Sequence, residues 1–476
     1  MDHPRFSVVI PTRNRADTLL FTLRTCLEQD FEDYEILVSD NGSDVETRQL
    51  MDELASPKIR YIHTPRPLAM SDSWEFALEQ ARGEYVTILG ADDGLLSHCL
   101  RDADEILRAC PSQALRWESA LYTWPNLPQQ PYQSPNRLTI PLPRAGRPHV
   151  VKRVESRTVM AEAGNSRLSY AELPMIYCSA IHRDLIARLR TLTGRVFQSE
   201  SPDVYSSFAF AYAAESYYSV DTPLAINALS GRSNGVATLY LQNQTSIGQD
   251  FQSMNAEANL VRHPWVPDLQ SMAACIADSF LHAKCRLFPE DGDLAIDRKL
   301  LICNCLAQTV FANDEEWQQG LKSMERSLVD DAGLTAWFAA EFAGAPRPIK
   351  PVSQPAHQCT GERLHLQADQ FGVSDVYGAS QLCEKLLAYR SEKIRYQFAP
   401  APPATAPAAS VESAAATDPL PPTTSRHVTT KAVEPMQARP GRLRRLASKL
   451  IHRSRRFWSK NDPVQTRNIP RKDPSP

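Results

Sequence analysis

Between residues 6 and 110 the chain switches repeatedly between two hydrophobic periodicities. "FSVVIPT" is a continuous run of strand formers, and from about Arg15 the leucines at 19, 23 and 27 fall on one helical face. "YEILVSD" reads as a second strand followed by a helix over residues 44 to 55. "KIRYIHT" is a third strand before the helix "SDSWEFALEQA", and "EYVTILG" a fourth before a helix over about residues 97 to 110. Asn14 is placed to cap the first of these helices, with Asp17 in its first turn, and Gly83 to close the third. Strands alternating with helices predict an α/β fold, a mainly parallel nucleotide-binding sheet flanked by helices. Ligands of such sheets bind outside the carboxyl ends of the strands. Here those ends are "PTRNR", "SDNGSD" and "GADDG", so three polar clusters converge on one edge.

Past residue 110 the pattern is mixed. "ALRWESALYTW" and "RLTIPL" read as strands, "PMIYCSAIHRDLIARL" as strand into helix, and "SPDVYSSFAFAYAA" as a loop opening a helix. Residues 250 to 395 carry mainly helical patterns and no evident chemistry. The expected organisation is a catalytic domain over 1–240, a helical C-terminal region over 241–398, a linker over 399–440, and a basic amphipathic helix and tail over 441–476.

Composition narrows this picture. The chain has 476 residues, 42% hydrophobic and 22% charged, with no apolar run long enough to span a bilayer. The N-terminus passes straight into a strand, which leaves no room for a signal peptide. The ten cysteines form no CxxC pair and read as small buried hydrophobes of a cytoplasmic protein. The net charge of -3 is unevenly spread. From Ala399 onward fourteen Lys and Arg face five Asp and Glu, so the first 398 residues are strongly acidic. Residues 399 to 440 hold nine prolines and eleven alanines, the composition of a disordered linker. In "GRLRRLASKLIHRSRRFWSK", residues 441 to 460, six apolar side chains share one helical face and eight cations take the rest. That combination predicts a helix on an anionic membrane surface at the inner face of the cell membrane, rather than a nucleic-acid-binding arm.

The adjacent carboxylates Asp92 and Asp93 close the fourth strand. A solvated turn accounts for them singly; a divalent-cation site accounts for their gathering with the other polar clusters. "SVVIPTRNRADTL", "ILVSDNGSD", "ARGEYVTILGADDG" and "SPDVY" resemble, in order and approximate spacing, the inverting family 2 glycosyltransferases of GT-A fold. The match covers about residues 6 to 110 well and 170 to 240 more loosely.

The resemblance implies transfer of a sugar from a nucleoside diphosphate, UDP above all, to an acceptor hydroxyl on a glycan, lipid-linked or protein acceptor, as in surface polysaccharide or glycoconjugate synthesis. It implies a Mn²⁺ or Mg²⁺ cofactor that offsets charge on the departing diphosphate. It places Pro11, Thr12 and Arg15 against the nucleoside and gives Asp40 a base or ribose hydrogen bond. Asp92 becomes the metal ligand of a DxD motif, Asp93 a second ligand or donor contact, and Asp203 the general base. The residues themselves leave alternatives open: an Asx turn at Asp40, helix capping at Asp203, Glu200 as the base, and Arg232 as an ordinary loop arginine instead of a diphosphate contact.

Two positions depart from the family pattern. Gly90 stands where the DxD motif begins, and Ser73-Trp74 where an Arg-Asn pair is common. Arg66 or Arg232 would then have to supply the positive charge. The departures also prompt the rival reading of a non-catalytic nucleotide-sugar-binding protein. A nucleotidyltransferase would need a Gly-rich phosphate loop that "PTRNRADTL" lacks.

Overall fold

The computed structural model describes residues 3–128, 134–142, 149–240, 245–348, 362–390 and 396–398. The N-terminal elements follow the alternation of the sequence: β1 (Phe6–Thr12), α1 (Ala16–Leu27), β2 (Tyr34–Asp40), α2 (Val45–Leu54), β3 (Ile59–His63), α3 (Met70–Gln80) and β4 (Tyr85–Ile88). All four strands are parallel, in the order β3-β2-β1-β4. β1 explains why its sequence is an unbroken apolar run. Val9 faces one buried cluster, with Leu37, Val86 and Ile88, while Val8 and Ile10 face another, with Ile36 and Val38. A strand covered on both faces has no polar side to alternate with.

Next come β5 (Gly94–Leu95), α4 (Cys99–Ala109), β6 (Ala114–Thr123), β7 (Arg137–Leu142), β8 (His149–Glu155), α5 (Ser156–Gly164), β9 (Ser179–His182), α6 (Arg183–Thr193), α7 (Pro202–Ala214) and β10 (Ser216–Leu229). β9 runs antiparallel between β4 and β6, and the sheet continues through β10 and β8. The helices α8 (Ser246–Glu257), α9 (Met272–Leu287), α10 (Arg298–Gln308), α11 (Asp314–Arg326) and α12 (Ala332–Phe342) precede β11 (Glu362–Gln367), α13 (Val376–Arg390) and β12 (Tyr396–Phe398).

Three local expectations are corrected. Asn14 does not cap α1; Arg15 holds that position. Asn14 adopts a left-handed conformation and joins two loops instead, accepting from the Asp44 N–H at 2.8 Å and donating its own N–H to Ser43 Oγ at 2.9 Å. Gly83 does not close α3, which ends at Gln80. A Cβ at Gly83 would stand 2.4 Å from the Ser7 backbone nitrogen, so the glycine is needed where the chain crosses tightly over β1. The region after residue 240 is not purely helical either. β11 pairs with β7, β12 with β8, and Val376, Ala379, Cys383 and Leu387 of α13 complete a core with Leu96, Tyr122 and Ile226. Met1–Ala404 accordingly form one compact unit, and every described residue belongs to it.

The expected linker and the amphipathic helix over 441–460 lie outside the described residues. Cys26, Cys99, Cys178, Cys305 and Cys383 are buried free thiols, in line with their reading as small hydrophobes. Among the described residues no helix is long and apolar enough to cross a membrane.

Candidate functional site

A cleft of about 800 Å³ opens where β1 and β4 end, a size suited to a small-molecule ligand. The in-register pairing of β1 with β2 brings Thr12 level with Asp40, so the loops after both strands leave the sheet side by side. Of the residues given a site role in the sequence, Pro11, Thr12, Arg15, Asp92, Asp203 and Arg232 line the cleft, as does the alternative base Glu200. Among the described residues the buried Thr12 hydroxyl oxygen has no hydrogen-bond partner, which leaves a polar atom for a ligand to satisfy.

The two adjacent carboxylates take opposite roles. Asp92 faces the cleft, where its Oδ2 accepts from Ser230 Oγ at 2.6 Å and Ser233 Oγ at 2.5 Å, and Arg15 Nη1 lies 3.4 Å from its Oδ1. The Asp92 carbonyl is fixed by the Trp124 indole N–H at 2.9 Å. Asp93 points into the protein and does not line the cleft. Its Oδ1 accepts from the Ala228 N–H at 2.6 Å and its Oδ2 from the Gly90 N–H at 3.0 Å, tying the β4 end to β10. Burial, then the neighbouring Asp92 charge, push its pKa well above the ordinary value. Asp93, expected as a second metal ligand or donor contact, is thus placed as a brace between the β4 end and β10, outside the cleft lining.

Asp40 likewise lies outside the cleft lining. Its Oδ1 accepts from the Ser43 N–H at 2.8 Å in an Asx turn, and its Oδ2 from the Tyr61 hydroxyl at 2.6 Å. It shapes the loop after β2 from outside the cleft. Arg66 is exposed, outside the cleft lining, and donates to the neighbouring Pro67 carbonyl at 3.4 Å.

The positive charge comes from the β1 end and the loop after β10. Arg15 Nη2 donates to the Arg232 carbonyl at 2.6 Å, and Arg232 Nη1 donates back to the Asn14 carbonyl at 2.6 Å. Arg13 completes the group, reaching α8 through Met254 and an ion pair with Asp250 at 3.7 Å. All three arginines line the cleft and Arg15 pairs with Asp92, a fitting environment for an anionic ligand such as a diphosphate. Ser230, Ser233 and Arg13 were not singled out in the sequence. The two serines flank Arg232 within "SGRSNG", and only the fold carries that loop to Asp92.

Asp203 sits in the first turn of α7, behind Pro202. Burial raises its pKa, opposed by backbone N–H groups at the helix start. Glu200 also lines the cleft with a pKa raised by burial, but it stands 3.7 Å from Arg262, whose charge holds it as an ion-pair partner. Among the described residues Asp203 enters no ion pair of that kind.

Asp92 with Ser230 and Ser233 gives one carboxylate and two hydroxyls in a single cluster. No group of three or more His, Cys, Asp or Glu able to hold a metal occurs among the described residues. This set fits a hard cation shared with a ligand's phosphates, since Mg²⁺ is commonly held by one or two carboxylates together with substrate oxygens. It does not fit a cation caged by protein alone.

Residues 7–108 match the family model described as glycosyl transferase family 2. A GalNAc(5)-diNAcBac-PP-undecaprenol beta-1,3-glucosyltransferase from Campylobacter jejuni is 36% identical over 100 residues, 20% of this chain and 32% of that protein. The glycosyltransferase AglD of Haloferax volcanii is 32% identical over 108 residues, 21% of this chain and 17% of that protein. The aligned segment thus spans at most about a third of these relatives. Among solved structures, S. aureus TarS 1-349 in complex with UDP-GlcNAc aligns with 70% of this chain and 83% of its own, at 16% identity and a TM-score of 0.42. The family match and the order of the parallel strands identify the fold as GT-A type.

Proposed function

We propose, from the glycosyl transferase family 2 match over residues 7–108, that this chain moves a sugar from a nucleoside-diphosphate donor, a UDP-sugar, to an acceptor hydroxyl with inversion. One observation carries the reading: Asp92, the arginine cluster and Asp203 line a single cleft at the carboxyl ends of the parallel strands. Arg13, Arg15 and Arg232 offset the charge that develops on the departing diphosphate. Pro11 and Thr12 lie against the nucleoside. The cation-sharing cluster is Asp92 with Ser230 and Ser233, and a divalent cation bound there supplies Lewis-acid charge to the same phosphates. Asp203 accepts the proton of the acceptor hydroxyl. Burial raises its pKa, which makes it a stronger base than an exposed carboxylate.

The acceptor we propose is a lipid-linked glycan. The name of the Campylobacter relative includes such a PP-undecaprenol compound, and the basic helix expected over 441–460 would bring the enzyme to a membrane surface. The test is a screen of nucleotide sugars for donor hydrolysis, with Mn²⁺ and with chelator. Hydrolysis needs no acceptor, so it reads the donor half of the site alone. Release of nucleoside diphosphate from at least one donor, faster with Mn²⁺, is expected. Absence of binding and hydrolysis across UDP-, GDP- and dTDP-sugars would overturn the proposal.

A further inference from the structure

The two departures from the family pattern, Gly90 and Ser73-Trp74, lie apart in sequence and meet in the fold. A Cβ placed on Gly90 would stand 2.5 Å from the Tyr177 hydroxyl oxygen and 2.5 Å from Asp93 Oδ2. The space that an aspartate at 90 would need is therefore filled by a phenol. Tyr177 is brought there by a β-bridge to Ile88, the last residue of β4. Its ring is stacked on Trp74, with centroids 6.0 Å apart and planes within 7°. Trp74 is itself buried and held edge-on by Phe197, 5.7 Å away. Where the family pattern begins its motif with an aspartate and carries an Arg-Asn pair, this chain has a glycine covered by a phenol, and Ser73-Trp74 whose indole stacks on that phenol.

We propose that Tyr177, positioned by Trp74, is a specificity-determining residue that hydrogen-bonds the sugar of the donor. This rests on the glycosyltransferase reading above. In that reading the sugar lies between the diphosphate, beside Asp92 and the arginines, and the base Asp203. Tyr177 stands on that path. Its hydroxyl reaches Gly90, and the preceding residue, Ile176, donates its N–H at 3.2 Å to Ser206 Oγ, which in turn bonds the Asp203 carbonyl. Tyr177 lines the cleft, and among the described residues its hydroxyl enters no hydrogen bond. A phenol both donates and accepts, matching a sugar hydroxyl, whereas a carboxylate only accepts.

Calorimetric titration of the full chain with UDP, UDP-GlcNAc, UDP-glucose, GDP and GDP-mannose tests this. Tyr177→Phe keeps the ring and its stacking, so its melting temperature should equal that of the wild type. Its Kd for the bound nucleotide sugar should rise about 3- to 10-fold, the value of one hydrogen bond, while its Kd for the free diphosphate stays unchanged. Trp74→Leu should reproduce that selective loss by releasing Tyr177. Equal effects on nucleotide sugar and free diphosphate, or none on either, would overturn the inference and leave the glycosyltransferase reading standing. A wild-type chain that binds none of the five ligands would overturn both. As a check on the geometry, Gly90→Asp should lower the melting temperature, and adding Tyr177→Ala should recover part of that loss; strictly additive losses would contradict the shared space.

Discussion

Asp92 and Asp93 are neighbours in sequence with opposite surroundings, and their difference is testable by paired substitution. Asp92→Ala removes the carboxylate that faces the cleft, but Ser230 and Ser233, 3.2 Å apart, can still bond each other. We expect a wild-type melting temperature and at least a tenfold loss of Mn²⁺-dependent nucleotide binding, on the scale of a lost charge-assisted contact. Asp93→Ala orphans the buried N–H groups of Gly90 and Ala228. It should cost about 2–4 kcal/mol of stability in denaturant titration, from two unsatisfied donors. A destabilised Asp92→Ala beside a native-like Asp93→Ala would reverse these assignments. The sequence showed both carboxylates and could not tell them apart, because the partners that separate them lie on β10 and in the loop after it. The same holds for Asp40, whose Asx turn was legible in "SDNGSD" but whose second partner, Tyr61, comes from a neighbouring strand.

The legibility of each element follows its neighbours in the chain. β1 to β4 and their helices could be read because each unit packs against the next, so a local pattern records a nearby partner. β10 could not, since it changes register around Pro223 and its apolar period breaks there. β11 and β12 have partners, β7 and β8, more than two hundred residues earlier, and nothing local announces them. The mainly helical reading of residues 250 to 395 holds for α8 to α13 and misses β11 for that reason, and the long-range pairing has a measurable consequence. Leu387 of α13 is only 4% exposed within the core shared with β6 and β10. Leu387→Ala should destabilise the whole unit by about 2–5 kcal/mol, the usual cost of a core leucine. A single cooperative transition shifted by that amount is expected in urea; a separate early transition with the main one unmoved would restore the picture of an independent appendage.

At the scale of the molecule, an acidic body precedes a basic C-terminal segment. Sequence alone argues that residues 441–460 bind anionic membrane, each cation near the surface contributing about 1 kcal/mol. The full chain should co-sediment with phosphatidylglycerol vesicles and dissociate in high salt. A chain ending at Ala404, the limit of the compact unit, should stay in the supernatant; equal sedimentation of both would place the membrane contact elsewhere. The catalytic account makes its own demand on the intact enzyme. Because burial raises the pKa of Asp203, the rate should fall with decreasing pH at a point above the ordinary value of 3.8, as the base takes up its proton. An acid limb at or below that value would contradict the assignment. The most direct test is Asp203→Asn, which keeps the size of the side chain and removes its basicity. In steady-state transfer with the donor found by screening, the account predicts a rate loss of about 10²- to 10⁴-fold with an unchanged donor Kd. A near wild-type rate, or a loss of donor binding that accounts for the lost activity, would contradict it.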